Sequence, residues 1–245
     1  MARAKKTSKK PAKKAEPKGR AFRPFRWIRR WSIRLVLIFV TAVLVTVSAH
    51  TVFNPSKTLY MWQEERRLGS IDYVWVPLRE IAPVMARSVV AAEDANYCLH
   101  WGFDVEAIRA ALEEGEGRGA STISQQVVKN VYLWHGRSWA RKALEAVITP
   151  VVEAVWSKRR IIEVYLNIAE FDEGIFGVEA AAQHYFGVTP DKLSPIQAAR
   201  LAMVLPNPKD RSASRPGKAL SRRAIAIMDG AETIRRDGRA SCFED

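Results

Sequence analysis

Residues 139–156 read WARKALEAVITPVVEAVW, and residues 158–170 read KRRIIEVYLNIAE. Both stretches place apolar residues at positions i, i+3 and i+4, which is the spacing of an α-helix that buries one face. Strand-like alternation of apolar and polar residues is scarce in the rest of the chain. The pattern therefore predicts an all-α, mainly helical domain. The same spacing recurs in VMARSVVAAEDANY (84–97), VEAIRAALEEGE (105–116), TISQQVVKNVYLW (122–134), VEAAAQHYF (178–186) and SPIQAARLAMVL (194–205).

The size and composition of the chain fit one domain of ordinary size. The chain has 245 residues, of which 48% are hydrophobic, so a packed core is expected and wholesale disorder is excluded. Two cysteines, Cys98 and Cys242, are too few for a disulfide scaffold or a thiolate metal cluster. They could pair with each other outside the cytoplasm, and their separation in the sequence does not decide the question.

The net charge of +13 is concentrated at the N-terminus. Residues 1–34 hold 14 lysines and arginines and one acid, Glu16, which leaves 25 basic and 25 acidic residues for the rest of the chain. A neutral body argues against a nucleic-acid-binding protein, because such proteins carry their positive charge on the folded domain. The basic tail therefore needs another explanation.

An uncharged apolar run, LVLIFVTAVLVTVSAHTVF at 35–53, follows the basic tail. As a helix it would span roughly 28 Å, close to the ~30 Å hydrocarbon thickness of a bilayer. A signal peptide would have a shorter apolar region and a small-x-small cleavage site, and a buried core helix would carry a polar stripe. We predict a retained transmembrane helix at 32–53, with the basic tail 1–31 in the cytoplasm by the positive-inside rule.

The rest of the chain divides at changes in composition. Residues 54–74 are interpreted as a connector that packs partly on the domain, and residues 75–215 as the helical domain itself. Residues 216–245, where the sequence turns polar, are interpreted as an extension with a short helix and a loose end. No internal repeat is visible.

Two polar segments carry candidate functional residues. In AAEDANYCLHWGFD, Glu93 follows an apolar helical stretch, where burial and the helix C-terminus would raise its pKa toward the range of a general base or acid. An exposed acidic pair, Glu93 and Asp94, is the alternative. His100 could be a metal ligand, although a lone histidine is more often a structural hydrogen-bonding group.

In GASTISQQVVKN (119–130), Thr122 and Gln125 fit a capping box at a helix start. Ser121, Gln125 and Lys129 follow i, i+4 and i+8 spacing, with further amides beside them at Gln126 and Asn130. A hydroxyl, amides and an ammonium near a helix start suit phosphate and sugar hydroxyl groups. A solvated face with a cap is the alternative interpretation.

Two basic segments complete the candidates. GRSWARKALE supplies Arg137, Arg141, Lys142 and Glu145, in which Arg141 and Glu145 could equally form a surface i, i+4 pair. SKRRIIEVYLN supplies Lys158 together with Glu163 and Asn167, and Arg159 with Glu163 could be a simple surface pair. The chain contains no GxGxxG, Walker A, HExxH or CxxC pattern, so a nucleotide cofactor and a zinc site lack support.

In their order along the chain these segments resemble one family, the biosynthetic peptidoglycan glycosyltransferases. The family motif E-D-x-x-F-x-x-H-x-G is similar to EDANYCLHWG here, with Tyr97 at the Phe position, and G-x-S-T-I-x-Q-Q-x-x-K-N is similar to GASTISQQVVKN. R-K-x-x-E matches residues 141–145, and K-x-x-I-x-E-x-Y-L-N matches residues 158–167. The likeness covers about residues 75–210, and residues 216–245 depart from it. A chain that stops at residue 245 resembles the monofunctional form, without a penicillin-binding domain.

The resemblance implies a lysozyme-like fold and assigns roles to single residues. Glu93 matches the catalytic base and Glu145 the second essential glutamate, while Lys129, Arg137 and Arg141 match positions that hold a diphosphate. His100 keeps its structural interpretation. The full set of candidate site residues is catalytic Glu93 and Glu145, and substrate-binding Ser121, Gln125, Gln126, Lys129, Asn130, Arg137, Arg141 and Lys158. A divalent cation, Mg²⁺ or Mn²⁺, near Glu145 is left open, and no other cofactor is implied.

The function implied by the resemblance is polymerisation of lipid II into β-1,4-linked glycan on the outer face of the cytoplasmic membrane, with release of undecaprenyl diphosphate. Its partners would be lipid II, the lipid-linked glycan chain, the membrane and other cell-wall synthesis proteins, and no nucleic acid. A lytic enzyme of the same fold class, with Glu93 as general acid, is the first alternative. A catalytically inert, membrane-anchored scaffold is the second. The cations at 129, 137 and 141 favour the transferase, because cleavage of an uncharged glycosidic bond needs no diphosphate clamp.

Overall fold

The computed structural model of the protein describes residues 24–114, 121–136 and 138–244. The prediction of a mainly helical domain is confirmed, and each of the quoted apolar stretches contains most of a helix. The helices are α1 (Pro24–Ala49), α2 (Leu59–Leu68), α3 (Pro83–Glu93), α4 (Val105–Glu114), α5 (Ile123–Tyr132), α6 (Trp139–Val155), α7 (Lys158–Ile168), α8 (Gly177–Phe186), α9 (Pro195–Val204) and α10 (Lys218–Arg236).

The first helix begins and ends earlier than the predicted span at 32–53. Its segment Phe25–Ala49 has the length and composition to cross a membrane. The arginine- and tryptophan-rich residues that precede the apolar run are part of the same helix. Residues 50–53 lie beyond its end in a turn, in which Thr51 and Val52 donate backbone hydrogen bonds to Ser48 and Ala49. The contacts of the chain divide it into two units, and the boundary along the sequence falls between Thr41 and Ala42.

The starts of several helices are fixed by side-chain caps. The predicted capping box of α5 is confirmed: Thr122 Oγ1 accepts from the backbone N of Gln125, and Gln125 Oε1 accepts from the backbone N of Thr122. Ser138 caps α6 and Ser157 caps α7 in the same way, through their hydroxyl oxygens. Each cap satisfies amide N–H groups that would otherwise lack a partner in the first turn.

A small sheet packs against α8. Its strands are β1 (Asp72–Tyr73), β2 (Glu170–Asp172) and β3 (Ile175–Phe176), in the order β1-β3-β2, with β1 parallel and β2 antiparallel to β3. The turn from β3 into α8 requires Gly177, which has φ +81° and lies against the backbone of Asn167. A Cβ atom at Gly177 would come within 2.8 Å of the Asn167 carbonyl oxygen.

Gly177→Ala is therefore expected to lower the free energy of unfolding by about 2–4 kcal/mol, because it combines a strained positive φ with a clash against backbone. Gly187→Ala is the matched control. Gly187 has φ +63° but open space around its Cβ position, so only the conformational cost of about 1 kcal/mol applies. Urea denaturation of both variants measures the difference, and equal losses would contradict the clash.

The C-terminal region differs from the predicted short helix and loose end. The helix α10 runs for 19 residues and packs against α3 and α9. It buries one face at Ala224, Ile227, Ala231 and Ile234. Gly230 permits the close approach, because a Cβ atom there would lie 3.2 Å from the Cβ of Ala91 on α3. Small residues along this face are why a helix rich in arginine still packs into the core.

The chain after α10 packs on the domain through its last residues. Cys242 forms a disulfide with Cys98, which lies in the turn Tyr97–Leu99. Phe243 is buried and its ring lies 6.0 Å from that of Tyr97. The two cysteines, whose pairing the sequence left open, are thus joined.

The predicted connector contains structure of its own. The helix α2 lies within residues 54–74, and its Met61 is fully buried. Thr58 caps this helix by accepting from the backbone N of Met61. The core that these elements enclose has as its largest fully buried side chains Tyr97, Tyr165, Phe171, Phe176, Phe243, Met61 and Met85.

Candidate active site

Glu93 is the last residue of α3 and its carboxylate is held by a neighbouring helix. Gln126 Nε2, on α5, donates to Glu93 Oε2 at 2.9 Å. The Gln126 side chain is itself oriented by Tyr165, whose hydroxyl donates to Gln126 Oε1 at 3.2 Å. One chain of hydrogen bonds therefore runs from α7 through α5 to the carboxylate.

The pKa of Glu93 is raised, as its position at the end of an apolar helix predicts. Burial is the main cause, and the neighbouring Asp94 adds to the effect. The Gln126 hydrogen bond and the positive charges of Arg223 and Lys129 act in the opposite direction. Glu93 is thus a desolvated carboxyl group rather than a member of an exposed acidic pair.

Asp94 makes structural hydrogen bonds, unlike its neighbour Glu93. It is buried, and its Oδ2 accepts from the backbone N of Ile123 at 2.9 Å, which ties the end of α3 to the start of α5. His100 Nε2 lies 2.8 Å from Asp94 Oδ1, so the structural interpretation of His100 fits the geometry. The hydrogen bond between Asp94 and Ile123 fixes the distance between the end of α3 and the start of α5.

Asp94, His100 and Asp104 have their potential ligand atoms within 4.8 Å of one another. The carboxylate oxygens are nevertheless occupied by N–H donors: Asp104 accepts from the backbone N of Ala107 and from the side chain of Asn96. With both carboxylates satisfied in this way, the three residues fit a hydrogen-bonded network better than a metal site.

The helix α5 lines a cavity of about 270 Å³ that we call the Lys129 cavity. Three of the predicted substrate-binding residues meet there: Gln126, Lys129 and Asn130. Asn130 Oδ1 lies 3.0 Å from His135 Nε2, and the His135 ring stacks on Tyr60 at a centroid distance of 3.7 Å. The remaining lining residues are Tyr165, Ile168, Ala169, Glu170, Leu205, Pro206, Asn207, Pro208 and Lys209.

A second cavity, of about 310 Å³, is lined by Glu93, and we call it the Glu93 cavity. Ser121 lines it together with Glu93, Asp94 and Thr122. Because Gln126 lines the Lys129 cavity and binds Glu93, the Glu93–Gln126 hydrogen bond connects the two cavities.

The predicted face of Ser121, Gln125 and Lys129 is wrong in its details. Ser121 precedes the helix, which begins at Ile123, so it does not continue the i, i+4 spacing. Gln125 is buried and its side chain bends back to cap Thr122 rather than pointing toward a ligand. The side chains of α5 that line the Lys129 cavity are Gln126, Lys129 and Asn130.

The pKa of Lys129 is affected by charged side chains from several parts of the site. Its pKa is lowered, chiefly by burial, and the positive charges of Arg141 and Lys142 lower it further. The carboxylates of Glu145 and Glu93 raise it. A buried ammonium with further cations nearby is an arrangement that an anionic ligand would stabilise.

Glu145, on α6, is buried and already paired with two cations. Arg141 Nη1 donates to Glu145 Oε2 at 2.7 Å, and Lys142 Nζ donates to Oε1. Both oxygens are therefore used, and the site does not fit the divalent cation that the sequence left open at Glu145. Lys142 Nζ is also 3.4 Å from Ser121 Oγ, which brings this pair toward the Glu93 cavity. Arg137 lies outside the described residues.

Lys158 is placed apart from this group. Its ammonium donates to Glu153 Oε1 at 2.8 Å and lies 4.5 Å from the centre of the Tyr97 ring, and it lines neither of the two cavities. Ser124 also donates to Glu153. These three side chains form a mostly buried polar cluster behind α5.

The motif that contains Lys158 has a mainly structural pattern of contacts. Asn167 bonds to both the N and the O of Val76, each at 2.8 Å. Glu163 accepts from the backbone N of Leu78 and pairs with Arg160 at 2.5 Å. The segment from β1 to α3 is thereby attached to α7.

Several side chains at the site were not predicted from the sequence. Tyr60, Glu170 and Lys209 line the Lys129 cavity from three distant parts of the chain, and Tyr60 donates to Glu170 at 2.7 Å. Burial, with help from Lys129 and Arg141, lowers the pKa of His135 to about 4, so this ring is neutral at pH 7. Arg223, on α10, contributes positive charge at Glu93. No local pattern marks these positions.

Taken together, the site offers a desolvated carboxyl group that lines one cavity and is hydrogen-bonded to a residue of the other, with the cations Lys129, Arg141 and Lys142 near one another. The carboxyl group has the properties of a general base or acid, and the cations those of a binding site for phosphate oxygens. This combination is what transfer of a group from a phosphorylated donor needs.

Comparison with known proteins agrees with this chemistry. A family model described as Transglycosylase matches residues 63–231. A biosynthetic peptidoglycan transglycosylase of Jannaschia sp. (strain CCS1) is 59% identical over 216 residues, which cover 88% of this chain and 90% of the relative. Proteins of the same name are 43% identical in Caulobacter vibrioides (89% and 96% covered) and in Xanthomonas campestris pv. campestris strain B100 (91% and 93% covered). The chain therefore belongs to the family of biosynthetic peptidoglycan transglycosylases.

Proposed function

We propose that this transglycosylase polymerises lipid II into β-1,4-linked glycan strands and releases undecaprenyl diphosphate. The observation that carries the proposal is the position of Glu93, a desolvated carboxyl group bound to Gln126 and facing the charge of Lys129. Family membership supports the reaction class. The lipid-linked substrates are inferred from the cations Lys129 and Arg141, because a donor that carries a diphosphate needs positive charge to bind its leaving group.

In the proposed reaction, Glu93 takes the proton from the 4-hydroxyl of the acceptor sugar. That oxygen attacks the anomeric carbon of the donor, and the bond from this carbon to the diphosphate oxygen breaks. Inversion converts the α-linked diphosphate into a β-1,4 glycosidic bond. The electron pair of the broken bond leaves on the diphosphate, and the proton remains on Glu93 until it is released to solvent.

Departure of the diphosphate creates negative charge that must be stabilised. Lys129 and Arg141, together with Arg137 by its place in the motif, are proposed to bind the diphosphate oxygens. Glu145 holds Arg141 and Lys142 by hydrogen bonds and so fixes the direction of their charges. We therefore assign Glu145 a positioning role, and no step of the proposed mechanism uses a metal ion.

The same proposal includes a location. The helix α1 anchors the protein in the cytoplasmic membrane, with the basic tail inside and the catalytic domain outside. The disulfide between Cys98 and Cys242 supports this orientation, because disulfides form and persist outside the reducing cytoplasm. The anchor would keep the enzyme at the surface that holds both lipid-linked substrates.

The decisive experiment compares two substrates. The purified full chain, in detergent or bilayers, should polymerise lipid II without any added nucleotide sugar and should leave lipid-free glycan strands intact. Product length on a gel is measured beside the release of soluble fragments from purified cell wall. Fragment release without polymer would favour the lytic alternative, and neither product from a folded protein would favour the scaffold.

The orientation has a separate test. A reporter enzyme that folds only outside the cytoplasm should be active when fused after residue 54, because the positive charges before the apolar run keep the tail inside. The same reporter fused after residue 20 is the control and should be inactive. Enzyme activity in intact cells measures both, and the reverse pattern would overturn the proposed orientation.

A further inference from the structure

The segment that follows α10 makes a dense set of contacts with one short loop of the site. Asp94–Leu99 connects Glu93 to the rest of the domain, and it contains the turn Tyr97–Leu99. The disulfide joins Cys98 of this loop to Cys242, across 144 residues of sequence. The reactive end of α3 is therefore covalently tied to the C-terminus.

Two further contacts hold the same loop. Arg239 Nη1 donates to the carbonyl oxygen of Ala95 at 3.2 Å, two residues after Glu93. The ring of Phe243, which is 1% exposed, packs against that of Tyr97. The loop is thus held at three residues: Ala95 by a backbone hydrogen bond, Tyr97 by ring packing and Cys98 by the disulfide.

The segment is in turn fixed to the body of the domain. Glu244 accepts two hydrogen bonds from Arg87 Nη1, at 2.8 and 3.0 Å, and Arg87 lies on α3. Arg159, on α7, donates to the carbonyl oxygen of Phe243 at 3.2 Å. The C-terminal end of the segment is therefore held by α3 and α7, while its N-terminal end continues from α10.

We propose that Asp237–Glu244, closed by the Cys98–Cys242 disulfide, is a clamp that positions the Asp94–Leu99 loop and, through it, the Glu93 carboxyl group. Asp94 makes the connection, because the same loop residue bonds to the start of α5, where Gln126 holds Glu93. The residues of the clamp are positioning residues and touch no substrate. The inference rests on the proposed function, in which Glu93 is the general base.

The clamp also makes the activity dependent on thiol chemistry. A dithiol such as dithiothreitol would reduce the disulfide, with two electrons and two protons moving to the cysteine sulfurs and the reagent becoming a cyclic disulfide. Removal of dithiothreitol with oxidation by oxidised glutathione would restore the bond. The change is therefore reversible, whereas damage to the fold would not be.

The test compares the full chain with and without the clamp, using lipid II as substrate. The double variant Cys98→Ser, Cys242→Ser, and the wild-type protein reduced by dithiothreitol, should each lose about tenfold to a hundredfold in kcat with little change in KM, because the base is misplaced while the substrate contacts remain. Amide hydrogen exchange in Asp94–Leu99 should rise. Reoxidation should restore the wild-type rate and the protection of the loop.

Matched variants separate positioning from stability. Arg239→Ala removes one clamp contact and should lower kcat in part, whereas Arg235→Ala removes an exposed arginine that pairs with Glu232 on the same helix and should not. Ile175→Val, at a buried position in β3, is the control for stability: it should lower the free energy of unfolding without lowering kcat. If the double variant does not fold, the arginine pair decides the question.

The outcomes are distinguishable from those of the proposed function. If oxidised wild-type protein makes no polymer from lipid II, the proposed function fails, and loop exchange on reduction still reports on the clamp. If the wild type polymerises and reduction leaves both kcat and loop exchange unchanged, the clamp is overturned. Equal losses of kcat in Arg239→Ala and Arg235→Ala would also overturn it.

Discussion

Glu93→Gln is expected to lower the rate of glycan synthesis by a factor of ~10²–10⁴, the usual effect of losing a general base. The substitution keeps the size of the side chain and leaves an amide that can still bond to Gln126, so the loss falls on proton transfer. The measurement is polymer formed from lipid II per unit time by the purified variant. Near-normal synthesis by Glu93→Gln would show that the proposed mechanism is wrong.

The stability of this variant provides its control, with a sign that the structure determines. Because the pKa of Glu93 is raised on folding, the ionised carboxylate destabilises the folded state as pH rises through that pKa. Glu93→Gln should therefore unfold at a higher temperature than wild type at pH 7, and the difference should disappear below about pH 4, near the pKa of an unfolded glutamate. A gain in stability with a loss of rate excludes misfolding as the cause.

The wild-type activity should also depend on pH through the same group. A general base works when deprotonated, so kcat/KM should fall on the acid side with a midpoint above 4.5, the ordinary pKa of a glutamate in peptides. The acid limb of the pH–rate profile measures this midpoint in the free enzyme. A midpoint at or below 4.5 would contradict the desolvated environment of Glu93.

Lys129→Ala is expected to reduce turnover by about 10²–10³, with a much smaller loss of substrate affinity. The charge on the diphosphate grows as its bond to the sugar breaks, so a cation there stabilises the transition state more than the bound substrate. Rates at saturating lipid II and equilibrium binding of the substrate must be measured separately. Arg141→Ala should act in the same direction, and less strongly.

Two variants control for the size and the charge of Lys129. Lys129→Arg keeps a cation and should recover part of the turnover. Lys192→Ala removes an exposed lysine outside both cavities and should have no effect. A loss of affinity with unchanged turnover in Lys129→Ala would make Lys129 a docking residue only.

The local features of the fold and site were predictable because their causes are local in the sequence. Helical spacing located the helices from α3 to α9, and the Thr122–Gln125 pair identified the start of α5. Glu93 at the end of an apolar helix indicated a raised pKa, which the structure has. Each of these inferences uses residues within about one or two turns of a helix.

The inferences that failed needed contacts across the chain. Gln125 fits a ligand face as well as a cap, and in the folded domain its side chain is buried and caps Thr122. The length of α10 was missed because its small buried residues, such as Ala224 and Ala231, give a weak apolar signal between arginines. Tyr60 and Lys209 meet at one cavity from positions about 150 residues apart, so no window of sequence contains both.

The packing of α10 against α3 makes the surroundings of Glu93 depend on a helix that is far from it in the sequence. Glu93 belongs to α3, and Gly230 of α10 lies close to Ala91 of that helix. A nascent chain that lacks α10 exposes the side of α3 that this helix covers, and Arg223 is missing from the surroundings of the carboxylate. We therefore expect a chain cut before residue 218 to be inactive, although it retains the motifs at 93–167, because the helix that packs on α3 is missing.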